Sequence, residues 1–145
     1  MKMKTIHFYV LVPVIAAAEC GLILAGLLPP LSSYSAGQIV FGLIMISVMI
    51  CMGLNLAELG FRKVTIKGAV ASLGAVIVVS LFSAVGYIIK KPVLGVSLPS
   101  VYFLPVVLFF MGVENILIFT FFAVFGRWLA HKIRPVKKSE KAKKT

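Results

Sequence analysis

Four long apolar runs with almost no charged residues make up most of this chain of 145 residues. They cover residues 6–28, 36–57, 68–89 and 101–125. A run of about 18 or more apolar residues has the length of an α-helix that crosses ~30 Å of hydrocarbon. The runs do not alternate between apolar and polar residues, which excludes a transmembrane β-barrel. The sequence therefore predicts an all-α fold, an integral membrane four-helix bundle.

Composition and loop length refine this prediction. The chain is 61% hydrophobic and 13% charged, whereas soluble domains carry about 25% charged residues. The connections, residues 29–35, 58–67 and 90–100, are short. Short connections predict that consecutive helices lie antiparallel. Residues 1–130 are thus expected to form a single transmembrane domain.

The distribution of basic residues predicts the orientation. Of the 15 Lys and Arg residues, 13 lie in the N-terminal segment, in the second connection or after the fourth run. Only Lys90 and Lys91 lie on the other side. Because cytoplasmic segments carry an excess of Lys and Arg, both termini are expected in the cytoplasm and the protein in the cell membrane. Residues 131–145 form a polybasic tail that is expected to be disordered.

The N-terminus has some features of a secretory signal. Lys2 and Lys4 precede the first apolar run, and small residues follow at Ala16. The run continues to Leu28, beyond the length of a cleavable signal peptide. We therefore expect an uncleaved first helix.

Two glutamates lie near the middle of predicted helices. Glu19 is slightly outward of the centre of the first run, and Glu114 slightly inward of the centre of the fourth. At ~1.5 Å of rise per residue, their depths differ by roughly 5 Å. If the first and fourth helices pack together, the two carboxyls can meet near the midplane. Ionisable residues at this depth are costly, so each one needs a physical reason.

Three interpretations of these glutamates remain open. They can form a proton or cation site, with the amide of Asn115 as a neighbouring hydrogen-bonding group. They can be protonated structural clamps, each hydrogen-bonded to a neighbouring helix. Alternatively, Glu114 can lie in the interface with a partner subunit. The sequence alone does not choose among these interpretations.

Small residues predict where helices approach each other closely. In the first run they recur every four residues, at Ala17, Gly21 and Ala25. In the third run, five fall on one helical face: Gly68, Ser72, Ala75, Ser83 and Gly86. Both stripes are expected to be helix-packing faces.

The basic C-terminal segment is a candidate lipid-binding region. Its candidate residues are Arg127, Lys132, Arg134, Lys137 and Lys138. Basic clusters next to a transmembrane helix attract anionic headgroups by ~1 kcal/mol per Lys or Arg. The alternative is that these charges only set the topology. Nucleic acid is not an expected partner, because the tail has no base-stacking aromatic residue beyond Trp128.

No motif in the sequence predicts enzymatic chemistry, a cofactor or a metal site. Cys20 and Cys51 lie at different depths, so they are expected to be free, buried thiols. The sequence favours a subunit or homo-oligomer of an ion- or solute-transporting membrane assembly, with the midplane glutamates as proton or cation groups. The alternative is a non-transport scaffold or accessory protein whose glutamates are helix clamps and whose tail binds anionic lipid.

Overall fold

The computed structural model of the protein describes residues 4–95 and 101–133, which contain four α-helices. They are α1 (Thr5–Leu24), α2 (Ala36–Asn55), α3 (Phe61–Ile88) and α4 (Leu104–Ile133). Short 3-10 turns at Leu31–Ser33 and Val101–Phe103 precede α2 and α4. Each of the four helices is long and apolar enough to cross a membrane. The all-helical fold with four candidate membrane spans is confirmed.

The first helix ends earlier than the apolar run, at Leu24 rather than near Leu28. Gly26 adopts a φ of 77° and donates its N–H to the Ile23 carbonyl, while Leu27 donates to the Leu22 carbonyl. This pair of bonds is a Schellman motif, which satisfies the last carbonyls of a helix and needs a residue in the left-handed region. The helix is therefore ended by Gly26, and not by the prolines at 29 and 30.

Two helices extend beyond their apolar runs. α3 begins at Phe61 and includes the basic residues Arg62, Lys63 and Lys67. α4 continues to Ile133 and so contains the first three residues of the segment predicted as a tail. Lys and Arg are good helix formers, so a helix can continue past the apolar part of its sequence. The rest of that segment, residues 134–145, lies outside the described residues.

The α1–α2 and α3–α4 connections are joined by hydrogen bonds at one end of the bundle. The N–H groups of Leu31 and Ser32 donate to the carbonyls of Val93 and Leu94, at 2.9 and 3.1 Å. The Lys91 ammonium group donates to the Leu24 carbonyl at 3.1 Å, where a cation also favours the negative end of the α1 dipole. We call this end, formed by residues 25–35 and 89–95, the paired-loop end.

The helices do not pack in sequence order. α1 packs mainly on α3 and much less on α2, whereas α4 packs on both α2 and α3. α1 and α4 therefore occupy opposite corners of the bundle. Glu19 and Glu114 were expected to meet if the first helix packed directly on the fourth, and the two helices do not pack in this way.

At the end opposite the paired loops, Arg127 Nε donates to the Leu59 carbonyl at 2.8 Å and joins α4 to the α2–α3 connection.

The main apolar core fills the half of the bundle away from the paired loops. Its side chains come from all four helices and are almost fully buried: Phe8, Val12, Ala16, Met45, Met49, Met52, Leu56, Val64, Ala71, Ala75 and Ala123. The predicted α3 stripe is confirmed, because all five of its small residues are buried. The predicted α1 stripe is wrong. Ala25 is exposed, and a Cβ added at Gly21 would meet no atom within 4 Å.

Candidate functional site: a cavity lined by two glutamates

A cavity of about 310 Å³ lies between the four helices on the side of the paired loops. Both predicted glutamates line it, and so does Asn115. Loop residues Leu31, Tyr34 and Leu94 contribute to its lining at the paired-loop end. The remaining lining residues come from all four helices: Ala16, Phe41, Gly42, Met45, Ala75, Val76, Val79, Ser80, Leu108, Met111, Gly112 and Phe119. The cavity is partly open to the surface of the bundle, because Glu114 and Tyr34 are exposed.

Glu19 reaches the cavity because it lies at the edge of the buried face of α1. That face is formed by Phe8, Val12, Ala16, Cys20 and Ile23, which recur at helical spacing. Glu19 directly precedes Cys20, so it lies about 100° around the helix from it. The side chain is half-buried. It points between the packed face of α1 and the surface of the bundle.

Glu114 reaches the same cavity from the opposite corner. The buried residues of α4 are small: Gly112, Ala123, Gly126 and Ala130. Glu114 itself is exposed, whereas its neighbour Asn115 is half-buried. The Asn115 side-chain amide donates to the Met111 carbonyl, one turn earlier in α4, at 2.7 Å. Among the described residues, its predicted hydrogen bond to a glutamate is not formed, and no group donates to its side-chain carbonyl oxygen.

Neither carboxyl group has a partner within the described part of the chain. Among residues 4–95 and 101–133, no hydrogen bond or ion pair involves Glu19 or Glu114. A clamp would require each glutamate to bond to a neighbouring helix. The structure therefore gives no support to the clamp interpretation within one chain. The exposure of Glu114 leaves contact with a partner subunit open.

The cavity ends where the main core begins. Ala16, Met45 and Ala75 belong both to the cavity lining and to the core cluster. Beyond them, Met49 and Met52 on α2 are fully buried. The space between the helices therefore extends from the paired loops to the middle of the bundle and is blocked on the far side by tightly packed apolar side chains.

Gln38 has a structural role at the paired-loop end, near the cavity. Its side-chain amide donates to the carbonyls of Pro29 and Pro30. Its Oε1 accepts from the Ser35 N–H at 3.2 Å, while Ser35 Oγ accepts from the Gln38 N–H at 3.4 Å. This reciprocal pair is a capping box at the start of α2. Gln38 thereby holds the first connection against α2.

Most of the cavity lining could not be recognised in the sequence. Phe41, Met45, Met111 and Phe119 line the space, but such residues occur throughout the apolar runs. Of the two glycines that line the cavity, Gly42 on α2 leaves open space, whereas Gly112 on α4 packs closely against Val76 of α3. The sequence does not reveal that these two glycines face the same space.

The candidate lipid-binding residues are only partly described. Arg127 is engaged with the Leu59 carbonyl inside the chain. The Lys132 ammonium group lies 4.8 Å from the centroid of the Trp128 ring, a cation–π contact. Arg134, Lys137 and Lys138 lie outside the described residues. Arg127 is half-buried, whereas Trp128 and Lys132 are exposed.

Other reactive groups do not assemble into a site in the described part of the chain. No group of three or more His, Cys, Asp or Glu residues there could hold a metal ion. Both cysteines are free, as predicted. Cys20 is buried, but Cys51 is exposed on the outside of α2, so the prediction that both thiols are buried is wrong. The depth of Cys51 in the sequence did not reveal which way the residue faces.

Comparison of the chain with protein-family models, with curated proteins and with solved structures finds no match.

Proposed function

We propose that this multi-pass membrane protein is a subunit or homo-oligomer of an ion- or solute-transporting assembly. One observation supports this proposal above all others. Glu19 from α1 and Glu114 from α4 line a single cavity, and neither carboxyl has a partner within the described residues. Because an ionisable group at membrane depth is costly, two unpartnered carboxyls on one cavity favour the uptake of a proton or a cation.

The chemistry of such uptake is simple. Two carboxylates that face one largely apolar cavity repel each other more strongly than they would in water. A proton or a cation that enters the cavity relieves this repulsion. Asn115 offers its side-chain carbonyl as a further acceptor. The proposed site residues are therefore Glu19, Glu114 and Asn115.

The cavity is closed on its far side, so a transport cycle requires a second opening there. Access is proposed from the paired-loop end, where Leu31, Tyr34 and Leu94 line the space. The fully buried Met49 and Met52 block the opposite half. We propose that the remaining half of the route forms by rearrangement of this methionine-rich contact or together with a second subunit.

The proposed topology places both termini in the cytoplasm of a cell whose plasma membrane the protein spans. The 13-to-2 division of Lys and Arg supports it. Contacts between α3 and α4 support antiparallel packing. Gly68 lies beside Ala123, and Val76 farther along α3 lies beside Gly112 earlier in α4. Anionic headgroups at the cytoplasmic face are the proposed partners of the basic residues after α4.

Flux measurements in vesicles test the transport proposal. Glu19→Gln and Glu114→Gln are reconstituted singly, and cation-driven proton movement is followed with a pH-sensitive dye inside the vesicles. Each variant should reduce the flux to less than about a tenth of wild type, which corresponds to a loss of ~1.4 kcal/mol or more. Glu58→Gln is the matched control, because Glu58 lies in the α2–α3 connection outside the cavity. Wild-type flux in both cavity variants would overturn the proposal.

A scaffold or accessory role is the second candidate, and the exposure of Glu114 is the observation that favours it. An exposed carboxyl on an apolar helix can be satisfied by a polar group of another subunit. In that case Glu114→Gln should weaken assembly while Glu19→Gln leaves it intact. Cross-linking in native membranes, read by the size of the complexes, distinguishes this role from transport.

A further inference from the structure

We infer that the cavity takes an organic ammonium ion with an apolar body, rather than a bare inorganic cation. This inference rests on the proposed function, because it names the class of cation that Glu19 and Glu114 would attract. Three properties of the cavity support it: its volume, the sparse distribution of its oxygen atoms, and the apolar and aromatic character of its walls.

The volume is that of a site for an organic molecule. Pockets that bind small organic ligands have volumes of about 300–1,000 Å³, and this cavity measures about 310 Å³. A dehydrated inorganic cation needs far less space. Ca²⁺, for example, is enclosed by 6–8 oxygen atoms at about 2.3–2.6 Å. A cavity ten times the ~30 Å³ that one water molecule occupies would leave such an ion largely in water.

The oxygen atoms are too dispersed to replace the hydration shell of an inorganic cation. The polar lining consists of the two carboxyls, Asn115, Ser80 and the exposed Tyr34. The two carboxyls come from helices at opposite corners of the bundle. A fully alkylated ammonium ion has no N–H group to hydrate, so it needs a counter-charge more than a complete coordination shell.

The walls match an apolar, positively charged ligand. Phe41 and Phe119 line the cavity, and a cation over the face of an aromatic ring gains about 0.5–2 kcal/mol by cation–π attraction. Met45 and Met111 add flexible, polarisable surface that adapts to ligands of different shape. No Lys, Arg or His lines this cavity in the described part of the chain. Both the charge and the surface chemistry therefore favour an alkyl- or aryl-substituted ammonium ion.

Equilibrium binding of tetraethylammonium tests this inference directly. Full-length protein in lipid nanodiscs is titrated with radiolabelled tetraethylammonium, and empty nanodiscs give the background. Binding should be saturable and should resist competition by a hundredfold excess of Na⁺ or K⁺. Glu19→Gln and Glu114→Gln should each weaken it by about tenfold or more, while Glu58→Gln leaves it unchanged. Displacement by Na⁺ or K⁺ at equal concentration, or the absence of saturable binding, would overturn the inference.

A cavity-filling variant tests the location independently of charge. A Cβ added at Gly42 meets no atom within 4 Å, and Gly42 lines the cavity, so the side chain in Gly42→Leu grows into the space. Tetraethylammonium binding should be lost in this variant while the melting temperature stays close to wild type. Unchanged binding would place the ligand elsewhere and overturn the inference.

The binding and flux results separate the inference from the proposed function. Glutamate-dependent proton or cation flux without tetraethylammonium binding overturns the ligand class and leaves the transport proposal standing. In the opposite case, tetraethylammonium binds and both Glu→Gln variants weaken its binding, but neither Glu→Gln variant changes the flux. This result overturns the transport proposal and supports the ligand class.

Discussion

Glu19 and Glu114 contribute carboxyl groups to the cavity without forming hydrogen bonds to other described residues. Both line the same space, and neither is bonded to another described residue. A structural polar residue in a bundle normally bridges two helices. These two glutamates line the cavity instead, so we expect them to contribute little to the free energy of unfolding.

The stability of the Glu→Gln variants tests this separation. In Glu19→Gln and Glu114→Gln, the free energy of unfolding should stay within about 0.5 kcal/mol of wild type, because no bond is lost. If the glutamates were clamps, each substitution should lower the free energy of unfolding by about 1 kcal/mol or more, because the hydrogen bond to the other helix would be weakened. The measurement is the melting temperature in mild detergent. A clear drop in either variant would argue for the clamp.

Gln38 is the opposite case, a polar side chain whose bonds all serve the fold. It joins the carbonyls of Pro29 and Pro30 to the first turn of α2. Gln38→Leu should lower the free energy of unfolding by about 1–2 kcal/mol, because the capping box and the loop contacts are both lost.

Ser47→Ala is the control for Gln38→Leu, measured by the same thermal unfolding. The Ser47 hydroxyl is exposed and donates only to Leu43 in its own helix, at 2.7 Å. Its removal should leave stability almost unchanged. Equal effects of the two substitutions would contradict the role assigned to Gln38.

At the scale of the helices, close contact between α2 and α4 depends on two glycines. A Cβ at Gly53 would clash with the Ala123 carbonyl oxygen, and a Cβ at Gly126 with the Ile50 carbonyl oxygen. Both obstacles are backbone atoms, so they cannot move aside as a flexible side chain can. The two helices approach each other as closely as small residues allow, which is how helices associate in lipid.

Alanine substitutions test this contact. Gly53→Ala and Gly126→Ala should each destabilise the protein by about 2–3 kcal/mol, because the helices must separate to admit the methyl group. Gly21→Ala should be neutral or slightly stabilising, because it adds a methyl group in open space and improves helix propensity. Melting temperatures in mild detergent compare the three variants. If Gly21→Ala destabilised as much as the others, the assigned packing would be wrong.

The helices could be predicted from the sequence, but their neighbours could not. Continuous apolar runs define helix length and position, and the α3 stripe from Gly68 to Gly86 identified a real packing face. The similar stripe at Ala17, Gly21 and Ala25 does not pack, because α1 buries Val12, Ala16 and Cys20 instead. In a helix that is apolar on all sides, small residues alone do not distinguish a packed face from a lipid-facing one.

The candidate site shows the same division. Glu19 and Glu114 stood out in the sequence because charge is rare in apolar runs. Their shared cavity arises from an arrangement in which α1 and α4 do not pack on each other. The two carboxyls therefore line one cavity, but not through the direct packing of α1 on α4 that was considered from the sequence.

For the whole molecule, the division of charge predicts its orientation. Arg62, Lys63 and Lys67 lie at the start of α3, on the side of the proposed cytoplasm, and Tyr34 lies in the first connection. In a variant without Cys20 and Cys51, Tyr34→Cys should react with a membrane-impermeant maleimide on intact cells. Lys63→Cys should react only after the cells are lysed. Reaction of Lys63→Cys on intact cells would contradict the proposed topology.

The packing of α1 on α3 and of α2 on α4 also has a consequence for how the chain is made. The ribosome releases the first two helices before the last two, yet the main neighbour of each belongs to the second half. After insertion, α1 and α2 remain in the bilayer with most of their contact surfaces turned to lipid, and their few mutual contacts give them little reason to associate. We therefore expect assembly of the bundle to be a late event in biosynthesis, which begins when α3 arrives for α1 and is completed only when α4 arrives for α2.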